Sequence, residues 1–248
     1  GPMCVGIDPH ASLLKAWGLD DDIAGCEKFA RTAVEALAGT VSMIKPQSAF
    51  FERFGSRGVA VMEQIIADVR GSGTLVLLDV KRGDIGSTSQ AYADAYLDAT
   101  SPLACDAITV SPYLGFGSVQ PMIDTALANN AGLFVLALTS NPEGPQFQHA
   151  RTADSRTVAG TVLDSLAELN ANATPLGSLG AVIGATIEES QENFNFNGPI
   201  LAPGVGAQGG TAADVRRIFG SAAANVLPSS SREILSAGPS VPALRDAA

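Results

Sequence analysis

The 248-residue chain is poor in the side chains that build metal centres and disulfide frameworks. It has three cysteines, Cys4, Cys26 and Cys105, and two histidines, His10 and His149. The cysteine number is odd, no Cys-x-x-Cys pair exists, and the spacings match no zinc pattern. The thiols read as small buried side chains of a reducing compartment. Two histidines so far apart in the chain do not form the spaced pair of a histidine-based metal motif. Positive charge is also scarce: 15 Lys and Arg against 25 Asp and Glu leave a net charge of −10. Sequence-independent nucleic-acid binding needs a basic footprint that this chain lacks, although a local basic pocket for a small anion stays open. No apolar run approaches the roughly 18 residues of a membrane span. Gly1-Pro2-Met3 leads straight into a strand-like run, with no signal-peptide pattern. The expectation is a soluble, cytoplasmic protein without nucleic-acid or membrane partners. Hydrophobic residues at 46% against 16% charged exclude an intrinsically disordered chain.

What the chain does have is regular alternation. Short, nearly continuous apolar runs lie at Met3–Ile7, Val41–Ile44, Thr74–Val80, Ala107–Val110, Leu133–Leu138, Leu179–Ile183, Pro199–Ala202 and Asn225–Leu227. Strands covered on both faces, as in parallel sheets, read this way. Helical periodicity fills the gaps: Gly25–Ala38, Val59–Arg70, Ser89–Asp98, Ser118–Asn129, Thr157–Leu169, Glu188–Asn193, Ala212–Phe219 and Ser230–Ala237. Eight βα units in about 250 residues fit a (β/α)8 TIM barrel of the α/β class better than a doubly wound sheet. No linker divides residues 1–248, so one domain is expected. The longest irregular stretch, Asn141–Ser155, has the length of a functional loop such as a lid.

Barrel chemistry belongs at the C-terminal ends of the strands, and polar residues gather there. Run three ends in Leu78-Asp79-Val80-Lys81-Arg82-Gly83-Asp84. Asp79 and Lys81, two apart on a strand, share a face. Lys45 at the end of run two and Asp84 beyond run three complete an alternating set of charges. That set is either a catalytic array or a structural salt-bridge cluster. Run seven ends in a loop holding Gly204, Gly206, Gly209 and Gly210, and run eight ends at Ser231-Arg232. A glycine-rich backbone and a planar guanidinium after strands seven and eight suit a phosphate, though a plain turn and a surface arginine would look the same. Asp8 reads as a helix cap or a hydroxyl ligand, Ser140 as a turn residue or a contact at the site mouth, and Arg82 as a supporting or surface charge.

The string Asp79-Val80-Lys81-Arg82-Gly83-Asp84-Ile85-Gly86-Ser87-Thr88 resembles the Asp-x-Lys-x-x-Asp-Ile-x-x-Thr signature of the orotidine 5′-phosphate decarboxylases, and its continuation through Tyr92 resembles the actinobacterial branch. Cys4-Val5-Gly6-Ile7-Asp8-Pro9, Ile44-Lys45-Pro46-Gln47, Thr139-Ser140-Asn141-Pro142 and Pro203-Gly204-Val205-Gly206-Ala207-Gln208 match in order along the chain. Ser231 stands where many members carry glycine before the phosphate arginine, and it keeps the backbone N–H. The resemblance implies loss of CO2 from orotidine 5′-phosphate to give UMP, with no metal and no cofactor. It implies Lys81 as proton donor to C6, Asp79 against the departing carboxylate, and Lys45 and Asp84 holding the array. Asp8 and Lys45 would hold ribose hydroxyls, Ser140 would read the pyrimidine edge, and Gln208, Ser231 and Arg232 would grip the phosphate. It also implies a homodimer with shared sites, in which Asp84, Ile85 and Thr88 reach the partner's cavity. The nearest rival is a sister barrel with the same core that acts on sugar phosphates and requires Mg²⁺.

Overall fold

The computed structural model describes residues 2–187, 190–206 and 209–248. Eight strands, β1 (Cys4–Ile7), β2 (Met43–Pro46), β3 (Leu75–Arg82), β4 (Ala107–Val110), β5 (Gly132–Leu138), β6 (Leu179–Ile183), β7 (Ile200–Pro203) and β8 (Val226–Ser230), pair in parallel in chain order. β8 closes on β1 through Cys4 opposite Ser229 and Val5 opposite Ser230. The (β/α)8 barrel expected from the alternation is therefore the observed fold. Among the described residues no helix is long and apolar enough to cross a membrane.

The period-2 geometry of a strand sorts each run into an outer and an inner set. On β1, Val5 and Ile7 point outward and are fully buried under helices, while Cys4 points inward. One inward residue from every strand meets in a single interior layer: Cys4, Met43, Leu77, Ala107, Phe134, Val182, Leu201 and Leu227. This layer plugs the barrel below its mouth, as interior layers of such barrels do. Burial pushes the Cys4 thiol up to about 12, despite the opposing pull of Lys45, so it stays neutral in that layer.

Around the strands lie α1 (Ala11–Ala16), α2 (Ile23–Leu37), α3 (Ser48–Glu52), α4 (Ser56–Gly71), α5 (Gly86–Leu97), α6 (Gln120–Ala128), α7 (Pro145–Gln148), α8 (Val158–Asn170), α9 (Ala212–Phe219), α10 (Arg232–Leu235) and α11 (Val241–Ala247). Capping sets several starts. Asp22 accepts the Gly25 N–H at 2.8 Å to open α2, and Thr211 with Asp214 forms a capping box on α9. On α2 the stripe Cys26, Phe29, Ala30, Ala33 and Leu37 is fully buried, as a 3.6-residue period requires.

Three expectations need correction. Of the helix expected at Glu188–Asn193, residues 188 and 189 lie outside the described residues and 190–198 is irregular. There the side chains of Ser190 and Asn193 accept the N–H groups of Glu192 and Asn195, a local turn that competes with helix. Phe194 and Phe196, two apart, are both buried, which is extended rather than helical spacing. The helix expected at Ser230–Ala237 begins later, because β8 runs on to Ser230 to pair with β1. It stops at Leu235 before Gly238-Pro239, and α11 follows. The irregular Asn141–Ser155 stretch contains one helical turn, α7. Gln148 fastens that turn to the end of β5 by hydrogen bonds to the N–H and Oγ1 of Thr139.

Candidate active site

Two residues beyond the interior plug, the inward positions change character. Above Met43 stands Lys45, above Leu77 stands Asp79, above Ala107 stands Thr109, and above Leu227 stands Ser229. These groups floor a cavity of about 550 Å³ that opens at the C-terminal mouth of the barrel. Asp8, Lys81, Ser140, Ser231 and Arg232 line it as well. A side chain on Gly6 would fall 1.8 Å from Ser231 Oγ, so the bare backbone there makes room for that hydroxyl at the wall. One carboxylate oxygen of Asp8 and the hydroxyl of Ser230 are buried without a hydrogen-bond partner among the described residues. Buried polar atoms left unsatisfied at a cavity wall suit a polar ligand.

Asp79 is pinned from three sides. Lys45 Nζ lies 3.2 Å from Oδ2, Lys81 Nζ lies 2.6 Å from Oδ1, and Thr109 Oγ1 donates to Oδ1 at 2.7 Å. Burial by itself would push the Asp79 carboxyl up, but the two ammonium groups and these hydrogen bonds outweigh it and hold it at about 2. Its folded pKa lies below the ordinary value, so its contribution to stability is present above the ordinary carboxylate range and is lost as pH falls through about 2. Burial would lower Lys45, yet Asp8 and Asp79 drive it above the usual lysine range, so it remains charged. The two lysines differ in access. Lys45 is 5% exposed, whereas the side chain of Lys81 is 46% exposed and free to meet a ligand. A buried ion-pair cluster is weak evidence for stability, since apolar residues of equal volume often serve as well or better. Its place at the barrel mouth points to chemistry instead.

Asp79 and Lys81 do face the same way, but not through a regular pleat. Leu78 pairs with Ile108 and Arg82 with Val110, so Asp79, Val80 and Lys81 bulge opposite the single residue Thr109. Lys81 takes φ +44°, a left-handed conformation rare for a residue with a side chain. Thr109 Oγ1 fills the bulge, accepting the Lys81 N–H at 2.9 Å while donating to Asp79. Gln47 Nε2 and Ser48 Oγ donate to the Asp79 carbonyl at 3.3 and 3.2 Å.

The structure thus brings together Asp8, Lys45, Asp79, Lys81, Ser140, Ser231 and Arg232. Asp84, Ile85 and Thr88 do not line this cavity. The Asp84 carboxylate accepts the N–H of Ile85 at 2.8 Å, and Ile85 is 62% exposed. Gln208 lies outside the described residues. In the glycine-rich loop the N–H groups of Gly206, Gly209 and Gly210 bond within the loop, so they do not face an anion. Arg232 forms no ion pair among the described residues. Thr109 and Gln47 escaped sequence reasoning. Thr109 is the one polar residue in the strand Ala-Ile-Thr-Val, two beyond an interior alanine, and that was the available signal.

Residues 1–247 match the model of the "Orotidine 5'-phosphate decarboxylase / HUMPS family". The chain belongs to this family. An orotidine 5′-phosphate decarboxylase from Nocardioides sp. is 70% identical over 238 residues, covering 95% of this chain and 87% of the relative. One from Salinispora tropica is 64% identical over 249 residues, covering 100% of this chain and 90% of the relative. A Streptomyces avermitilis protein of known crystal structure superposes with a TM-score of 0.98 at 60% identity, covering 100% of this chain and 87% of that one. Within the decarboxylase / HUMPS family, the actinobacterial resemblance read from Asp79 to Tyr92 agrees with these relatives.

Proposed function

We propose that this chain removes the carboxylate of orotidine 5′-phosphate as CO2, leaving UMP, the last step of making that nucleotide. The observation that carries the reading is Asp79 pinned between a buried Lys45 and an accessible Lys81 at the floor of a cavity that reaches Arg232. When the bond from C6 to the carboxylate breaks, its electron pair stays on a ring carbon with no adjacent carbonyl to spread it. A fixed cation facing that carbon is the help that side chains can give. Lys81 fills this role, donates a proton to C6, and regains one from solvent. Asp79 faces the substrate carboxylate and repels it more than it repels the product, while Lys45 keeps Asp79 ionised. Asp8 and Lys45 take ribose hydroxyls, and Ser140 takes the pyrimidine edge. Gln208, the N–H of Ser231 and Arg232 take the phosphate. That group is remote from the reacting carbon, so its binding energy serves to assemble the site.

The same reading makes the protein a homodimer, with Asp84, Ile85 and Thr88 entering the partner's cavity. Support comes from their position outside their own cavity and from the exposure of Ile85. A divalent cation fits poorly, because both oxygens of Asp79 already face ammonium groups, and the described residues hold no cluster of three metal-ligating side chains. The test is the loss of orotidine 5′-phosphate absorbance on adding protein, with and without a chelator. Turnover at an unchanged rate in chelator is expected. No loss of that absorbance, with Mg²⁺-dependent turnover of a sugar phosphate instead, would move the chain to the sugar-phosphate branch.

Arg232→Ala is expected to lower kcat/KM for orotidine 5′-phosphate on the order of 10- to 100-fold, the scale of one charge-assisted contact of about 1.5–3 kcal/mol. The nucleoside orotidine, which lacks the phosphate, should hardly respond. Equal losses on both substrates would give Arg232 a structural role.

A further inference from the structure

Arg82 follows Lys81 directly, yet its side chain leaves the cavity and lodges, half-buried, between α3 and α5. Its Nη2 lies 2.5 Å from Glu52 Oε1 and 3.4 Å from the Tyr96 hydroxyl, and the guanidinium stands 5.6 Å from the centre of the Tyr92 ring. Its Nη1 turns back to donate to the carbonyl of Val80 at 3.2 Å. One side chain therefore grips the backbone on the far side of Lys81 from its own Cα. The bulge that lifts Lys81 into the cavity is held at Asp79 by Gln47 and Ser48, and at Lys81 by Thr109. Arg82 supplies the hold at Val80 and ties it to two helices.

We infer that Arg82 is a positioning residue that keeps the Lys81 backbone left-handed and so keeps its ammonium over the reacting carbon. Left-handed backbone costs free energy at a residue with a side chain, and it persists only where the surroundings over-determine it. An extended conformation at Lys81 would undo the bulge opposite Thr109 and displace the ammonium that now lies 2.6 Å from Asp79. The guanidinium suits the task because its rigid planar fork sets Nη1 on the Val80 carbonyl while Nη2 meets Glu52 and Tyr96. Glu52 sits at the end of α3, the helix that Ser48 opens, so one short helix braces the bulge at both Asp79 and Val80.

The inference rests on Lys81 acting as proposed above, and two readouts separate the claims. Arg82→Met keeps an aliphatic stem against Tyr92 and removes the guanidinium. We expect kcat to fall about 10- to 100-fold, the scale of a small misplacement of a reacting group, with KM and the Kd for UMP within about threefold. Arg82→Lys should recover part of the loss. In the protein without ligand, the backbone carbon chemical shifts of Lys81 should move toward extended values in Arg82→Met, while those of Lys45 stay in place. Wild-type kcat in Arg82→Met, unmoved Lys81 shifts, or a parallel loss of kcat and UMP binding would each overturn the inference. Moved Lys81 shifts in a protein whose wild type does not decarboxylate would sustain it and sink the proposed function instead. If Arg82→Met does not fold, Glu52→Gln and Tyr96→Phe loosen the same guanidinium one anchor at a time. Each should lower kcat with little change in KM, and unchanged kcat in both would overturn the inference.

Discussion

Lys81→Ala is expected to lower kcat by at least about 10⁴-fold while UMP still binds. Two contributions vanish together. A preorganised charge at the developing carbanion is worth about 10²- to 10³-fold, and a positioned proton donor a further 10²- to 10⁴-fold. Both act in the transition state, so the loss belongs in kcat rather than in ground-state binding. The fold should tolerate the change. Asp79 keeps Lys45 at 3.2 Å and Thr109 at 2.7 Å, so no buried carboxylate is stranded. Lys45→Ala makes an informative contrast, because Lys45 is itself buried and its loss leaves Asp79 with one cation on the exposed side. Breaking a buried pair from one side costs about 3–5 kcal/mol in general, so that variant should lose stability as well as rate. Steady-state rates with a UMP titration check the first claim, and near wild-type kcat in Lys81→Ala would remove Lys81 as the proton donor.

Mixing two nearly inactive variants is expected to restore activity. In a homodimer with shared sites, Asp84 of one protomer serves the partner's cavity. A mixed dimer of Lys81→Ala and Asp84→Ala then holds one site with both defects and one with none. At equal mixing about half the dimers are mixed, so about a quarter of wild-type activity should appear once subunits exchange. The geometry motivating this is plain: Asp84 lies past the end of β3, its carboxylate bonded among the described residues only to its neighbour's N–H, and it does not line its own cavity. If Asp84 served its own subunit, every site would keep one defect and the mixture would stay inactive.

The barrel was legible because parallel strands buried on both faces leave continuous apolar runs, and all eight were placed to within a few residues. The helix after β6 was misread because Glu188–Asn193 has helix-forming residues, while the side chains of Ser190 and Asn193 and the paired burial of two phenylalanines decide otherwise. The charged core of the site was legible from spacing, since Lys45, Asp79 and Lys81 sit at strand ends where inward positions follow from alternation. The bulge was not. Nothing in Asp-Val-Lys-Arg announces a left-handed lysine, and the conformation depends on partners distant in sequence: Gln47 and Ser48 after β2, Thr109 on β4, and Glu52 beneath Arg82. Thr109 looked like one more β-branched strand residue until the register placed it above Ala107.

The most direct test of decarboxylation at this array is a structure of the protein with UMP in the cavity. Pyrimidine C6 is expected within about 3 Å of Lys81 Nζ, close enough for proton transfer. The phosphate is expected on Arg232, and Asp84 of the partner subunit beside Lys81. UMP bound with its phosphate against Lys45 and Lys81, or with its ring turned away from Asp79, would contradict it.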